Sequence, residues 1–310
     1  MPEFTNQEIL AELEATNGEA LFEYFDIDQT NPYSPKFTPK PGVIIKPDPG
    51  QPVQLGLGLD IANFFTHSNR QRAYRRKIKN NPALKPIVSA GDSWFSHPLL
   101  RDVINHLGDN HGYAILSLDA AGAELSEVVQ SGKWATALRA ENSRTLLVSG
   151  GGNDLMGDHF GDYLNTGLPA GTPPGDYLNS AFDDALNRVL KHYNTIILQV
   201  ENDFPGVKVF VHSYDFAIPR PKGPWLGVAM IKAGITEKSD QRAIIKEVVT
   251  RFTKRLEQLA AANAGRVFYI GRKTNVPDGS WDDEIHPTSE GFAIVAANFA
   301  VELHVEGVTP

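Results

Sequence analysis

The chain contains no cysteine. That absence excludes a disulfide framework, an iron–sulfur site, a thiolate nucleophile and any zinc site built on sulfur. It leaves the compartment open, because a chain without thiols is indifferent to redox state. Long apolar runs are missing too, and no stretch approaches the roughly 18–20 residues that cross a bilayer. The opening residues, Met1-Pro2-Glu3-Phe4-Thr5-Asn6-Gln7-Glu8, lack the basic start and apolar stretch of a secretory signal. A cytoplasmic location is the default expectation, with export by a system that needs no cleaved signal as the other. Positive charge is in deficit. The 29 Lys and Arg against 37 Asp and Glu give a formal net charge of −8, which argues against a general nucleic-acid binder. No Gly-x-Ser-x-Gly, phosphate-binding loop, dinucleotide fingerprint or His-Glu-x-x-His occurs.

What is present is ordinary globular material: 310 residues, 41% hydrophobic and 21% charged. That length suits one large domain with an appendage. Residues 5–25 read as an amphipathic helix, with Thr5 and Glu8 at capping-box spacing and Ile9, Leu10, Leu13, Leu21 and Phe22 on one side. Residues 30–52 carry seven prolines and read as an extended surface segment. Residues 58–80 return to a helical pattern and end in Arg70, Arg72, Arg75, Arg76, Lys77 and Lys79. That cluster reads as a solvated face, or as a surface for an anionic partner such as a lipid headgroup. The division expected is therefore an N-terminal extension over 1–80, its role open among oligomerisation, wrapping and docking, and a main domain over 81–310.

From residue 86 the pattern changes. Short β-branched runs at 86–90, 113–118, 145–149, 207–212 and 266–270 alternate with helical stretches near 98–108, 122–140, 178–201, 237–263 and 288–304. This alternation predicts βαβ units, and so an α/β domain with a five-stranded parallel sheet covered on both faces. Two segments, 155–177 and 213–236, are long enough to cover a site. The first holds Gly-Asp-Tyr-Leu-Asn twice, at 161–165 and 175–179, which two copies alone leave as a chance similarity.

Ligands bind at the carboxyl ends of strands in such sheets, and there the chain supplies a set of small and polar residues. In order they are Gly91-Asp92-Ser93, Gly122, Gly151-Gly152-Asn153-Asp154, His212-Ser213-Tyr214 and Asp283-Glu284-Ile285-His286-Pro287. Acyl transfer needs a nucleophile, a base, a group that orients the base, and donors for an oxyanion. Ser93 is the candidate nucleophile, on a strand-to-helix turn that Gly91 permits. His286 is the candidate base, and Asp283 lies three residues earlier. Oxyanion donors are the amides of Ser93 and Gly122 and the Asn153 side chain. Each residue also has a plainer reading. Ser93 and His286 suit helix caps, Asn153 a turn, and Asp92 and Asp154 structural bonding. His97, His159 and His212 lack ligand spacing. Trp94, Phe95, Tyr214 and Trp225 suit equally the wall of an acyl pocket and ordinary packing.

These blocks, in this order over about residues 84–304, resemble the SGNH hydrolases, also called GDSL-type esterases and lipases. The resemblance implies a flavodoxin-like α/β/α sandwich. It implies Ser93 as nucleophile, His286 as base oriented by Asp283, and an oxyanion hole of Ser93, Gly122 and Asn153. It implies no cofactor and no metal. The implied substrate is a small-molecule or lipid ester, with peripheral membrane contact open and oligomeric state undetermined. The sequence departs from the family at Trp94, where leucine is usual, and at Gly122, which lacks the usual polar neighbours. Residues 1–80 match nothing in the family. Two other readings stand beside this one. One is a metal-dependent phosphoesterase built on Asp92, Asn153, Asp154 and His286. The other is a non-catalytic binding protein on a hydrolase fold.

Overall fold

The computed structural model describes residues 3–5, 8, 21–28, 36–41, 43–46, 55–271 and 274–310. The N-terminal part holds β1 (Glu3–Thr5), α1 (Leu21–Tyr24), β2 (Phe25–Asp28), β3 (Lys36–Pro39) and β4 (Ile44–Lys46). There β1 pairs parallel with β4, and β2 antiparallel with β3. Thr5 is paired with Lys46 in that ladder; the capping role that its spacing to Glu8 suggested lies outside the described residues. The rest of the expected 5–25 helix, including Gly18, lies outside the described residues except Glu8 and the short α1.

The main body follows the alternation read from the sequence. It runs through α2 (Leu55–Asn80), β5 (Pro86–Ala90), α3 (Val103–Asp109), β6 (Ala114–Ser117), α4 (Leu125–Ser131) and α5 (Lys133–Ala140). It continues with β7 (Thr145–Val148), α6 (Gly152–Met156), α7 (Ser180–Asp203), β8 (Lys208–His212), α8 (Gly227–Lys232), α9 (Lys238–Ala262), β9 (Val267–Ile270) and α10 (Ser289–Val305). The helix expected over 122–140 is two helices, split at Gly132, whose φ is 58°. Strand order is β6-β5-β7-β8-β9, with every neighbouring pair parallel. That is the 2-1-3-4-5 order of flavodoxin-like sheets, with its topological switch between β5 and β7. Val88, Leu146, Leu147, Val209, Phe210 and Val211 are almost completely buried, as strands covered on both faces require.

The two Gly-Asp-Tyr-Leu-Asn copies pair with each other in space. Each forms a 3₁₀ turn, Phe160–Tyr163 and Pro174–Tyr177. Leu164 and Leu178 then bridge antiparallel. The bonds are reciprocal: Asn165 N donates to Tyr177 O at 2.8 Å and Asn179 N to Tyr163 O at 2.9 Å. Each Asn side chain also donates to the other copy, to Asp176 O and Asp162 O, at 2.9 Å. The 155–177 segment is thus stitched shut, with Tyr163, Leu164, Tyr177 and Leu178 buried.

Helix α2 corrects the reading of the basic cluster. It packs on β6, and one face carries Asn63, Arg70, Tyr74 and Lys77, spaced by two turns, one turn and one turn. Arg70 is only 9% exposed. Its guanidinium pairs with the fully buried Asp102 and donates to Phe95 O, to Asn105 Oδ1 at 2.9 Å and to Ser117 Oγ at 3.3 Å. Asp102 in turn caps α3 through Ile104 N and Asn105 N, at 3.0 and 3.2 Å. Lys77 donates to Tyr113 O at 2.9 Å and to Gly108 O. These two cations serve the interior, while Arg72, Arg75, Arg76 and Lys79 remain exposed.

Removing one partner of a buried ion pair leaves the other charge stranded, at about 3–5 kcal/mol. Arg70→Ala should therefore lower the unfolding free energy by about that amount in a urea titration. Arg76→Ala, on the exposed face, should change it by less than about 0.5 kcal/mol.

Candidate active site

β5 ends at Ala90, and the chain turns at once through Gly91-Asp92-Ser93. A Cβ at Gly91 would lie 2.5 Å from the carbonyl oxygen of Ser149, at the end of β7, so only glycine lets the two segments approach this closely. Asp92 is buried and fully engaged. It accepts from Ser149 Oγ at 2.8 Å, from Trp94 N at 3.1 Å and from the Tyr214 hydroxyl. The turn is thereby fixed to β7 and to the segment after β8. Ser93 stands on it, 7% exposed.

The segment after β9 brings His286 to this serine. Ser93 Oγ and His286 Nε2 are 2.7 Å apart, and His286 Nδ1 is 2.8 Å from Asp283 Oδ2. A carboxylate only accepts, so Nδ1 carries the proton and Nε2 presents its lone pair to the hydroxyl. Asp283 Oδ1 accepts from Ile285 N at 2.8 Å and His286 N at 2.7 Å. Burial alone would push the Asp283 carboxyl up. The bonds from the His286 ring and from these two amides outweigh it and hold the group below the usual carboxylate range. Thr288 then caps α10 by accepting from Gly291 N at 3.3 Å, which ends the loop just beyond the histidine.

Gly122 follows β6 and Asn153 follows β7. Gly122 has φ 81°, the left-handed region that disfavours a side chain. Asn153 lies on α6, half-buried, and its Nδ2 donates to Ala123 O at 2.8 Å. Among the described residues, neither the Ser93 amide nor the Gly122 amide donates a hydrogen bond to a protein group.

The aromatic residues divide. Trp94, Phe95 and Tyr214 are buried at 4%, 0% and 2% exposure, and Trp94 lines a small cavity with His212 and Phe299. Trp94 also acts as a brace: its indole N–H donates to Ile285 O at 3.1 Å, one residue before His286. Phe95 stacks on His212 with centroids 5.3 Å apart. Only Trp225 of the four is half-buried, and its ring stands perpendicular to His286 at 5.8 Å.

Glu284, which carried no signal of its own in the sequence, holds the Trp225 backbone there. The side chain is 1% exposed. Its carboxylate accepts from four backbone amides: Arg220 N at 2.8 Å, Trp225 N at 3.1 Å, Leu226 N at 3.0 Å and Gly227 N at 2.7 Å. Arg220 closes the other side by donating to Asp282 O at 2.7 Å and Trp281 O at 2.9 Å. The 213–236 segment is therefore tied to the histidine loop through buried, charge-assisted bonds.

Three further groups shape the electrostatics. His97 lies with its ring centroid 4.7 Å from that of His286. Its Nδ1 accepts from Leu99 N and Leu100 N, at 3.2 and 3.1 Å. Burial first, and the neighbouring His286 second, push its pKa down to about 3, so it stays neutral. Asp154 accepts from Leu125 N at 3.3 Å, and burial raises it to about 6. Asp119, after β6, accepts from Ser89 Oγ at 2.5 Å and Ser117 Oγ at 2.7 Å while its Oδ1 has no partner. Burial pushes it up to about 7.

Solved structures similar to this chain include a lipase from a goat rumen metagenome, at 13% identity and TM-score 0.48, covering 73% of this chain and 98% of that one. An acetylxylan esterase from Geobacillus stearothermophilus matches at 13% identity and TM-score 0.43, over 71% and 94% of the two chains. A lipase/acylhydrolase from Enterococcus faecalis matches at 11% identity and TM-score 0.40, over 71% and 95%. No family model and no curated protein matches the chain.

Glu284→Gln would present one acceptor oxygen where two now serve four donors, and unsatisfied buried donors cost about 1–3 kcal/mol each. The variant should melt lower and be cut faster by protease within 216–227. The pH dependence of stability should carry the mark of Asp119. Its folded pKa of about 7 lies above the unfolded value of about 3.9, so the native state binds the extra proton. Stability from this group is present at acid pH and lost as pH rises to about 7. The unfolding free energy of Asp119→Asn relative to wild type should thus improve over that window and level off above it.

Proposed function

We propose that the chain is a serine hydrolase of carboxylic esters, working as the SGNH enzymes do. The observation that carries this reading is the unbroken path from Asp283 Oδ2 through both nitrogens of His286 to Ser93 Oγ, at 2.8 and 2.7 Å. It joins residues from the two ends of the domain, and a helix-capping serine or histidine has no need of it. His286 takes the Ser93 proton as the oxygen attacks the ester carbonyl. Asp283 stabilises the imidazolium that forms and keeps its orientation. The negative oxygen of the tetrahedral intermediate rests on the Ser93 and Gly122 amides and on Asn153. His286 then passes its proton to the leaving alcohol, and water releases the acid by the same path.

Two members of the rival phosphoesterase quartet, Asp92 and His286, are already engaged within the protein. Asp92 faces Tyr214, Ser149 and Trp94, while His286 uses both nitrogens on Asp283 and Ser93. Trp225 beside His286 gives the substrate side an apolar wall, which favours an ester with an apolar group.

Wild-type protein should react with a fluorophosphonate and turn over p-nitrophenyl esters, with a preferred chain length set by the space beside Trp225. Ser93→Ala should abolish labelling and lower turnover by about 10⁴-fold or more with an unchanged melting temperature. Undiminished esterase activity in that variant would refute the assignment, and a folded wild type that neither labels nor hydrolyses would favour a binding protein.

A further inference from the structure

We propose that Asn63 is a positioning residue for the oxyanion donor at Gly122, and that helix α2 is therefore part of the catalytic unit. The inference rests on the ester-hydrolase reading of Ser93 and His286. It concerns a segment that the resemblance to SGNH hydrolases does not reach.

The argument is about one peptide plane. Asn63 grips Ala121 from both sides: Ala121 N donates to Asn63 Oδ1 at 2.9 Å, and Asn63 Nδ2 donates to Ala121 O at 3.2 Å. The Ala121 carbonyl and the Gly122 N–H belong to the same peptide group. That group is planar and trans, as no cis bond occurs among the described residues, so its C=O and N–H point in opposite directions. Holding the carbonyl on Asn63 therefore aims the Gly122 N–H directly away from α2. Bonding the carbonyl also polarises the group and strengthens its N–H as a donor.

The surrounding bonds leave that N–H as the free one. Ala120 N donates to Gly91 O at 2.9 Å, and Ala123 N to Ala120 O at 3.2 Å. Ala123 O accepts from Asn153 Nδ2 at 2.8 Å. Among the described residues every amide from 120 to 123 except that of Gly122 is used within the protein. The Gly91 carbonyl ties the segment to the nucleophile turn, and Asn153 ties it to the other oxyanion donor. Two turns along the same helix face, Arg70 holds the Phe95 carbonyl, two residues beyond Ser93. Helix α2 thus grips both the donor segment and the nucleophile turn. Oxyanion stabilisation depends on donors fixed before the charge develops, and this is what a two-point grip on Ala121 supplies.

The test compares wild type with Asn63→Ala and Asn63→Asp, using p-nitrophenyl ester kinetics and inhibition by benzeneboronic acid. The Asp variant keeps an acceptor for Ala121 N and sets a carboxylate against Ala121 O, which frees the peptide plane. Assays are run well below each variant's melting temperature, with Asn153→Ala as the reference for loss of a donor. The expected result is a fall in kcat of about 10- to 100-fold, below the roughly 10²–10³-fold of outright donor loss, with KM within about threefold. Boronate affinity should fall in step with kcat/KM, because both report binding of a tetrahedral oxyanion. The pH dependence of kcat/KM should not move, since His286 is untouched. Variants that stay within about twofold of wild type in kcat would overturn the proposal while leaving the esterase reading intact. The same holds if kcat falls with boronate affinity unchanged, or if neither variant folds, for then Asn63 is a stability residue. A wild type that hydrolyses no ester and takes no fluorophosphonate would overturn the esterase reading and this inference with it.

Discussion

All five strands of the sheet run the same way, so every segment that leaves a strand's carboxyl end emerges at one edge. This constraint places the rest. Ser93 follows β5, Gly122 follows β6, Asn153 follows β7 and His286 follows β9, and residues separated by up to 193 positions meet there. The switch in strand order falls between β5 and β7, the strands that Ser93 and Asn153 follow.

A sheet edge alone does not give hydrogen-bond geometry. The loops are fixed by polar side chains, fully or partly buried, each bonding a different segment. Asp92 ties the nucleophile turn to β7 and Tyr214, Glu284 ties the histidine loop to the segment carrying Trp225, and Asn63 ties α2 to Ala121. Such bonds act over short distances and in fixed directions, and they replace the mobility that long loops otherwise have. The segment over 155–177 reaches the same end by pairing its two short repeats with each other.

The elements legible beforehand were those with a period. Alternating apolar runs located all five strands of the main sheet to within one or two residues, because strands buried on both faces must be apolar throughout. The candidate Ser93, Asp283 and His286 were legible because acyl transfer requires those functional groups, and their chain order suited the sheet. Helix α2 was legible as a helix but not in its role. Its inner face carries Asn63, Arg70 and Lys77, which leave the same trace in a sequence as a solvated face. Trp94, Phe95 and Tyr214 were equally ambiguous, since an aromatic ring suits a core and a pocket wall alike. Glu284 gave no signal, because a buried carboxylate is identified by the amides around it, and those belong to residues 57–64 positions away.

The sequence by itself therefore determined the class of fold, the order of its strands along the chain and the chemical types gathered at their ends. These follow from local periodicity and from the short list of groups able to do acyl chemistry. Tertiary structure alone decided which polar residues face inward, that the two Gly-Asp-Tyr-Leu-Asn copies pair, that Asn63 grips Ala121 and that Glu284 is buried among backbone amides. The physical reason is range: burial preference is carried by each residue's own chemistry, whereas a directional hydrogen bond exists only once both partners have been brought together.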